Sequence, residues 1–272
     1  CIENGINDSR VLCNYGLILR SLGDLENAQI IMKKSIAMFP CDALSYNNLS
    51  GILQELGQYN EAELILKKCL KIDRNNSITY TNLGTVLMYQ GKLDHSIVNL
   101  QKALSINPRE FNAYLSLGIV MRQLGKIKEA LEYIYKSIEI QPKNFLAYCN
   151  LGDIFSTTGE YKKAISIYEK ALNLSENNVI AKIGLIHCKG IICDWSNNDS
   201  YINWIDNIGI KGEPVNPYTF FLYDENPINH LKRSKKFANQ HIVKKDFVRF
   251  QKIKEEKIRI GYFSADFRDH PV

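Results

Sequence analysis

The sequence predicts an all-α solenoid, a stack of antiparallel helix pairs, which runs through a junction into the first strand of an α/β domain. Three observations predict it. Gly23, Gly57, Gly91, Gly125 and Gly159 lie 34 residues apart. Tyr46, Tyr80, Tyr114 and Tyr148 keep that step, as do Gly84, Gly118 and Gly152, and Ala28, Ala62, Ala130 and Ala164 with Ser96 between them. The period fails after Glu176, and Lys257 to Ser264 alternates like a strand, with Ile258 and Ile260 set against basic residues. A fixed period of this length marks supersecondary units that bury their apolar faces only against their neighbours.

Each element follows in order. Five units are read within residues 1–178, at 9–42, 43–76, 77–110, 111–144 and 145–178. In each first helix a Leu (Leu49, Leu83, Leu117, Leu151) follows the Tyr by three residues, so both share one face. The small residue after it, Gly84, Gly118 or Gly152, admits a neighbouring helix at close range. Gly23 and its equivalents end the first helix, where a left-handed residue is wanted. Pro40, Pro108 and Pro142 stop the second helix by barring the preceding residue from helical backbone. Residues 179–195 read as a capping helix and 196–256 as a junction carrying Pro214, Pro217 and Pro227. Residues 257–272 read as a strand, a polar loop and a helix start at Pro271, the way a doubly wound α/β domain opens.

Composition excludes several classes. The chain has 272 residues, is 45% hydrophobic and 23% charged, a composition that speaks against general disorder. Its apolar runs fall well short of the roughly 20 residues a membrane span needs. It begins Cys1-Ile2-Glu3-Asn4 with no initiator Met and no leader, and reads as the interior of a longer protein. Seven scattered cysteines, an odd number, point to reduced thiols and hence to the cytoplasm, or the nucleus in a eukaryote.

Binding residues are sought on the first helices, which line the inner face of such stacks. The position before the Leu of the first helix, with Tyr15 in place of that Leu in the first unit, is Asn14, Asn48, Asn82, Ser116 and Asn150. Asn is a mediocre helix former, so its return at one register asks for a reason. An amide offers both donor and acceptor, and a ladder of them suits the backbone of an extended protein or peptide substrate held in a concave groove. His187, Cys188 and Cys193 match no zinc spacing and read as core packing, leaving no metal site and no cofactor in this chain. The basic stretch Lys232 to Arg259 carries eleven Lys or Arg against three acids. Its Phe237, Phe247 and Phe250 recur at helical spacing, which favours an amphipathic linker over a nucleic-acid partner. Self-association of the stack stays open.

The repeat residues resemble the tetratricopeptide consensus. The phrase Ile258 to Pro271, IRIGYFSADFRDHP, resembles the opening of the catalytic region of the O-linked N-acetylglucosamine transferases, and His187 to Trp195, HCKGIICDW, is similar to that family's junction. The resemblance implies a right-handed superhelix followed by a truncated two-lobed glycosyltransferase domain. It implies a parent enzyme that moves a sugar from UDP-N-acetylglucosamine, without metal, to Ser or Thr of intracellular proteins. His270 is the one residue that matches an active-site position of that family, and the donor-binding half is expected beyond Val272, which would leave this chain itself inactive. The alternative is a non-catalytic scaffold that assembles partner proteins.

Overall fold

The computed structural model describes residues 8–194, 204–211, 214–216, 224 and 226–241. The chain divides into two compact units, Cys1–Ile205 and Asp206–Val272. The first holds eleven helices among its described residues: α1 (Ser9–Ser21), α2 (Leu25–Met38), α3 (Ala43–Glu55), α4 (Tyr59–Ile72), α5 (Ser77–Tyr89), α6 (Leu93–Ile106), α7 (Phe111–Gln123), α8 (Ile127–Ile140), α9 (Phe145–Thr157), α10 (Tyr161–Leu174) and α11 (Val179–Ile191). No strand occurs among the described residues, and the strand expected near Lys257 to Ser264 lies outside them.

Short polar residues start many of the helices. Asp8, Asp24, Asp42, Asn76, Asn144 and Asn178 accept backbone N–H bonds at the N-termini of α1, α2, α3, α5, α9 and α11. The loop glycines between paired helices sit at φ between 70° and 80°, and nothing lies within 4 Å of where a Cβ would be. They are chosen for backbone conformation alone. One step further on, Cys193 takes this place after α11 at φ 53°, so the period survives in the backbone where the glycine is lost.

The helices form two layers. Each first helix packs on the next, α1 on α3 through to α9 on α11, while no successive pair of second helices packs to that degree. The first-helix layer is therefore the tighter, inner one. The layers are joined at the small residues. A Cβ on Gly84 would stand 2.6 Å from Leu100, on Gly118 2.6 Å from Ile134, and on Gly152 2.6 Å from the Tyr168 ring. These three partners are buried, and the core extends through the stack in three clusters that follow the units. Trp204 packs on the last cluster, and Lys182 Nζ lies 4.6 Å from its ring centroid.

The second unit is described by itself. Its helix α12 (Pro227–His241) starts with proline at the first helical position, after Asn226, whose side chain accepts from the Ile228 N–H at 3.0 Å. Arg233 is fully buried, donating to Asp224 Oδ2 at 2.5 Å and to the Ile208 carbonyl at 2.9 Å. Lys236 Nζ reaches the Ile210 carbonyl at 3.1 Å. Residues 227–241 of the junction therefore form a helix that carries part of the basic stretch. Two of its cations hold the unit together, because a buried guanidinium must be fully hydrogen-bonded to be tolerated.

Candidate functional site

The inner layer presents one row of polar residues, Asn14, Asn48, Asn82, Ser116 and Asn150, one from each first helix. Their environments differ. Asn14 is exposed and Asn48, Asn82 and Asn150 are half-buried, but Ser116 is buried. Asn82 Nδ2 donates to Asn47 Oδ1 at 3.0 Å, and Asn47 Nδ2 in turn donates to Thr79 Oγ1 at 2.9 Å. Ser116 shares a 3.0 Å hydroxyl bond with Thr85. Asn150 Nδ2 bonds back to the Leu146 carbonyl at 2.9 Å. Asn48 Nδ2 is buried with no hydrogen-bond partner among the described residues.

These bonds decide what each residue can offer. Asn82 and Asn150 have committed their donors and keep Oδ1 as an acceptor for a main-chain N–H. Asn48 keeps an uncommitted donor, and a buried donor left unmade costs about 1–3 kcal/mol. The ladder thus gives a donor at Asn48 and acceptors at Asn82 and Asn150, with Ser116 withdrawn to tie one unit to the next.

A second row accompanies it, which the sequence reading did not single out. Four residues before the polar row, on the same helix faces, stand Arg10, Leu44, Ile78, Asn112 and Leu146, and Ile180 continues that register into α11, where Gly184 takes the polar position. The four aliphatics are 49%, 54%, 39% and 50% exposed. The inner surface therefore pairs a hydrogen-bonding strip with an aliphatic strip. The signal is present in the sequence, since these positions keep the 34-residue step, but no glycine or aromatic marks them.

Further along the layer, Asp153 Oδ1 accepts from Tyr168 Oη at 2.7 Å, and Arg122 approaches Oδ2 at 3.8 Å. Burial pushes the Asp153 carboxyl up; burial and the neighbouring carboxylate push the Tyr168 phenol up. Cys149 is pushed up to about 12, chiefly by burial, so it is an inert thiol. The expectation that His187, Cys188 and Cys193 all serve as core packing holds for Cys188 alone. Cys188 is buried and donates to Ser156 Oγ at 3.5 Å, whereas His187 and Cys193 are exposed, His187 on the solvated side of α11 and Cys193 at the helix-ending turn. No group of metal-ligating side chains occurs among the described residues. No helix among them is long and apolar enough to cross a membrane. The six described cysteines are free thiols. His270 lies outside the described residues.

Family models described as tetratricopeptide repeat match residues 7–75 and 109–177, and a further TPR repeat model matches residues 84–125. Among solved structures, the chain is similar to TTC0263, a thermophilic TPR protein of Thermus thermophilus. That match has a TM-score of 0.62 at 18% identity, over 66% of this chain and 98% of that one. It is also similar to pilF of Pseudomonas aeruginosa, with a TM-score of 0.58 at 20% identity, over 85% of this chain and 97% of the other. At such identities the likeness is one of fold. No curated protein matches the chain.

Proposed function

Because the chain belongs to the tetratricopeptide repeat family, we propose that it is a docking scaffold whose inner layer holds an extended segment of a partner protein. The observation that carries this is the pairing of amide beside aliphatic at one register in three first helices, Asn48 with Leu44 in α3, Asn82 with Ile78 in α5 and Asn150 with Leu146 in α9. A main chain needs donors and acceptors, and its apolar side chains need a dry strip alongside. Packed helices lie about 8–10 Å apart, close to the three-residue turn of a polyproline II strand at about 3.1 Å per residue. That conformation has no internal hydrogen bonds, so its N–H and C=O groups are available to Asn48, Asn82 and Asn150. The partner segment therefore carries an apolar residue at every third position.

A phage-displayed peptide selection on the full chain tests this. Selected peptides should show the three-residue apolar spacing. They should bind roughly 5- to 150-fold more weakly to the Asn48→Ala/Asn150→Ala chain, since each of two lost bonds is worth about 0.5–1.5 kcal/mol. Affinity unchanged in that variant, with an unchanged melting temperature, overturns the groove reading.

The resemblance of Ile258 to Pro271 to the O-linked N-acetylglucosamine transferases supports a second, finer reading. In it the same groove delivers Ser- or Thr-bearing proteins to a catalytic region in which His270 acts. Its test is transfer from UDP-N-acetylglucosamine by the full-length gene product, reduced by His270→Ala without loss of stability. Absence of transfer by that protein removes this reading and leaves the scaffold.

A further inference from the structure

We propose that the outward face of α2, α4 and α6 is a second docking surface, and that it takes an acidic amphipathic helix of a partner protein. Ile30, Leu64 and Val98 stand there at one register, 61%, 54% and 65% exposed. Exposed aliphatics scattered singly need no account, but three in line on consecutive helices make a stripe. One turn later on the same face come Lys34, Lys68 and Lys102, all exposed.

The charge on this face is uncommitted. Nearby Lys33 and Lys67 are occupied by Glu61 at 2.9 Å and Glu63 at 2.6 Å. Lys34, Lys68, Lys71 and Lys102 form no ion pair among the described residues. Carboxylates on the face, Glu26 and Asp94, lie one turn before the aliphatics, so the stripe is bordered by acid on one side and by the larger basic strip on the other. The feature is local. In the last two repeat units the aliphatic register is held by Glu132 and Ser166, and Glu139 and Glu169 join the lysines there.

The occupant follows from what the face lacks. Unlike the inner layer, it offers no amide or hydroxyl row, so an extended chain would leave its backbone groups without partners. A helix satisfies its own backbone and needs only an apolar stripe with carboxylates beside it. Seven residues of helix span about 10.5 Å and return to nearly the same face, a step suited to crossing successive solenoid helices. The strip of four unpaired lysines selects Asp and Glu along one edge of that helix.

The probe is a fluorescein-labelled synthetic helix with Leu at every seventh position and Glu flanking one edge, titrated by anisotropy against the full chain. The control peptide has the same composition in scrambled order. The proposal expects at least about tenfold tighter binding of the patterned peptide. It also expects at least a tenfold loss in Leu64→Ser/Lys68→Ser, and no loss in Asn48→Ala/Asn150→Ala, which separates this face from the groove. Circular dichroism verifies that the exposed substitutions leave the helices formed. Equal binding of both peptides, or binding indifferent to Leu64 and Lys68, overturns the proposal. So does flotation with phosphatidylserine vesicles that outcompete the peptide, which would assign the face to lipid. A dimer by sedimentation that Leu64→Ser abolishes would assign it to a second copy and equally overturn it.

Discussion

The contact between the two layers can be tested at Gly118. An added Cβ there stands 2.6 Å from Ile134 Cδ1, 2.7 Å from Ile134 Cγ1 and 3.3 Å from the Ala130 carbonyl oxygen. Overpacking of this kind costs about 1–3 kcal/mol. Alanine is also the better helix former by about 1 kcal/mol. Gly118→Ala should therefore cost about 0–2 kcal/mol net. Ile134→Ala alone empties a fully buried site and should cost about 2–5 kcal/mol.

In the double variant both offending side-chain atoms are gone. Only the 3.3 Å approach to the Ala130 carbonyl oxygen then stands against the propensity gain, and the new methyl fills part of the cavity. Gly118→Ala made in the Ile134→Ala background should thus stabilise by about 1 kcal/mol, a reversal of sign that additive effects cannot produce. Urea unfolding followed by circular dichroism on the four chains measures this, with the transition treated as a chain of coupled repeats. A Gly118→Ala cost of equal size in both backgrounds would refute the reasoning, because the close approach would then not be what selects glycine.

Two further outcomes concern buried and bridged carboxylates. Glu63, held between Lys67 first and Lys92 second, has its carboxyl lowered from 4.5 to about 2. A depressed acid stabilises the fold above its unfolded value, and that contribution is lost as pH falls from about 4.5 toward 2. The melting difference between wild type and Glu63→Gln should vanish across that window. Asp153 has the opposite sign, since burial raises it, so its ionisation opposes folding and stability should rise as it is protonated. Asp153→Asn keeps an acceptor for Tyr168 and should be nearly neutral, whereas Asp153→Leu strands the hydroxyl and should cost about 1–3 kcal/mol by thermal melting.

The solenoid was legible because its period is carried by residues whose roles are local. A glycine at positive φ or a small residue facing a Leu is dictated by backbone geometry and close packing, whatever the rest of the chain does. The period could have been followed one step further, to Cys193, where the backbone keeps the glycine conformation without the glycine. What escaped depended on partners distant in sequence. Asn47 lies one residue before Asn48, yet it is the buried amide that bridges to Thr79 and Asn82. Ser116 kept the register of the ladder but is drawn into a bond with Thr85, 31 residues away. Arg233 sat in a basic run read as an amphipathic linker with no residue singled out, and only Asp224 and the Ile208 carbonyl make it a buried anchor.

The two layers also constrain how a groove segment and an outer partner can influence each other. The inner row offers polar groups from α3, α5 and α9, with Ser116 of α7 withdrawn, while the outer stripe is confined to α2, α4 and α6. Each unit touches only its neighbours, so strain introduced at Leu64 must pass through the interlayer contacts to reach the groove. For α4 those contacts are with α3, where Ala62 and Leu66 share a buried cluster with Leu49, Ile52 and Leu53, and the flanking units are joined in the same way by Met32 under Gly16 and Leu100 under Gly84. They are close-packed side chains against helix backbone, with no alternative arrangement built in, and coupling between sites requires an element with two states that both ligands bias. Occupation of the outer stripe should therefore leave affinity in the groove near Asn150 unchanged, and the solenoid would hold two partners side by side without signalling between them.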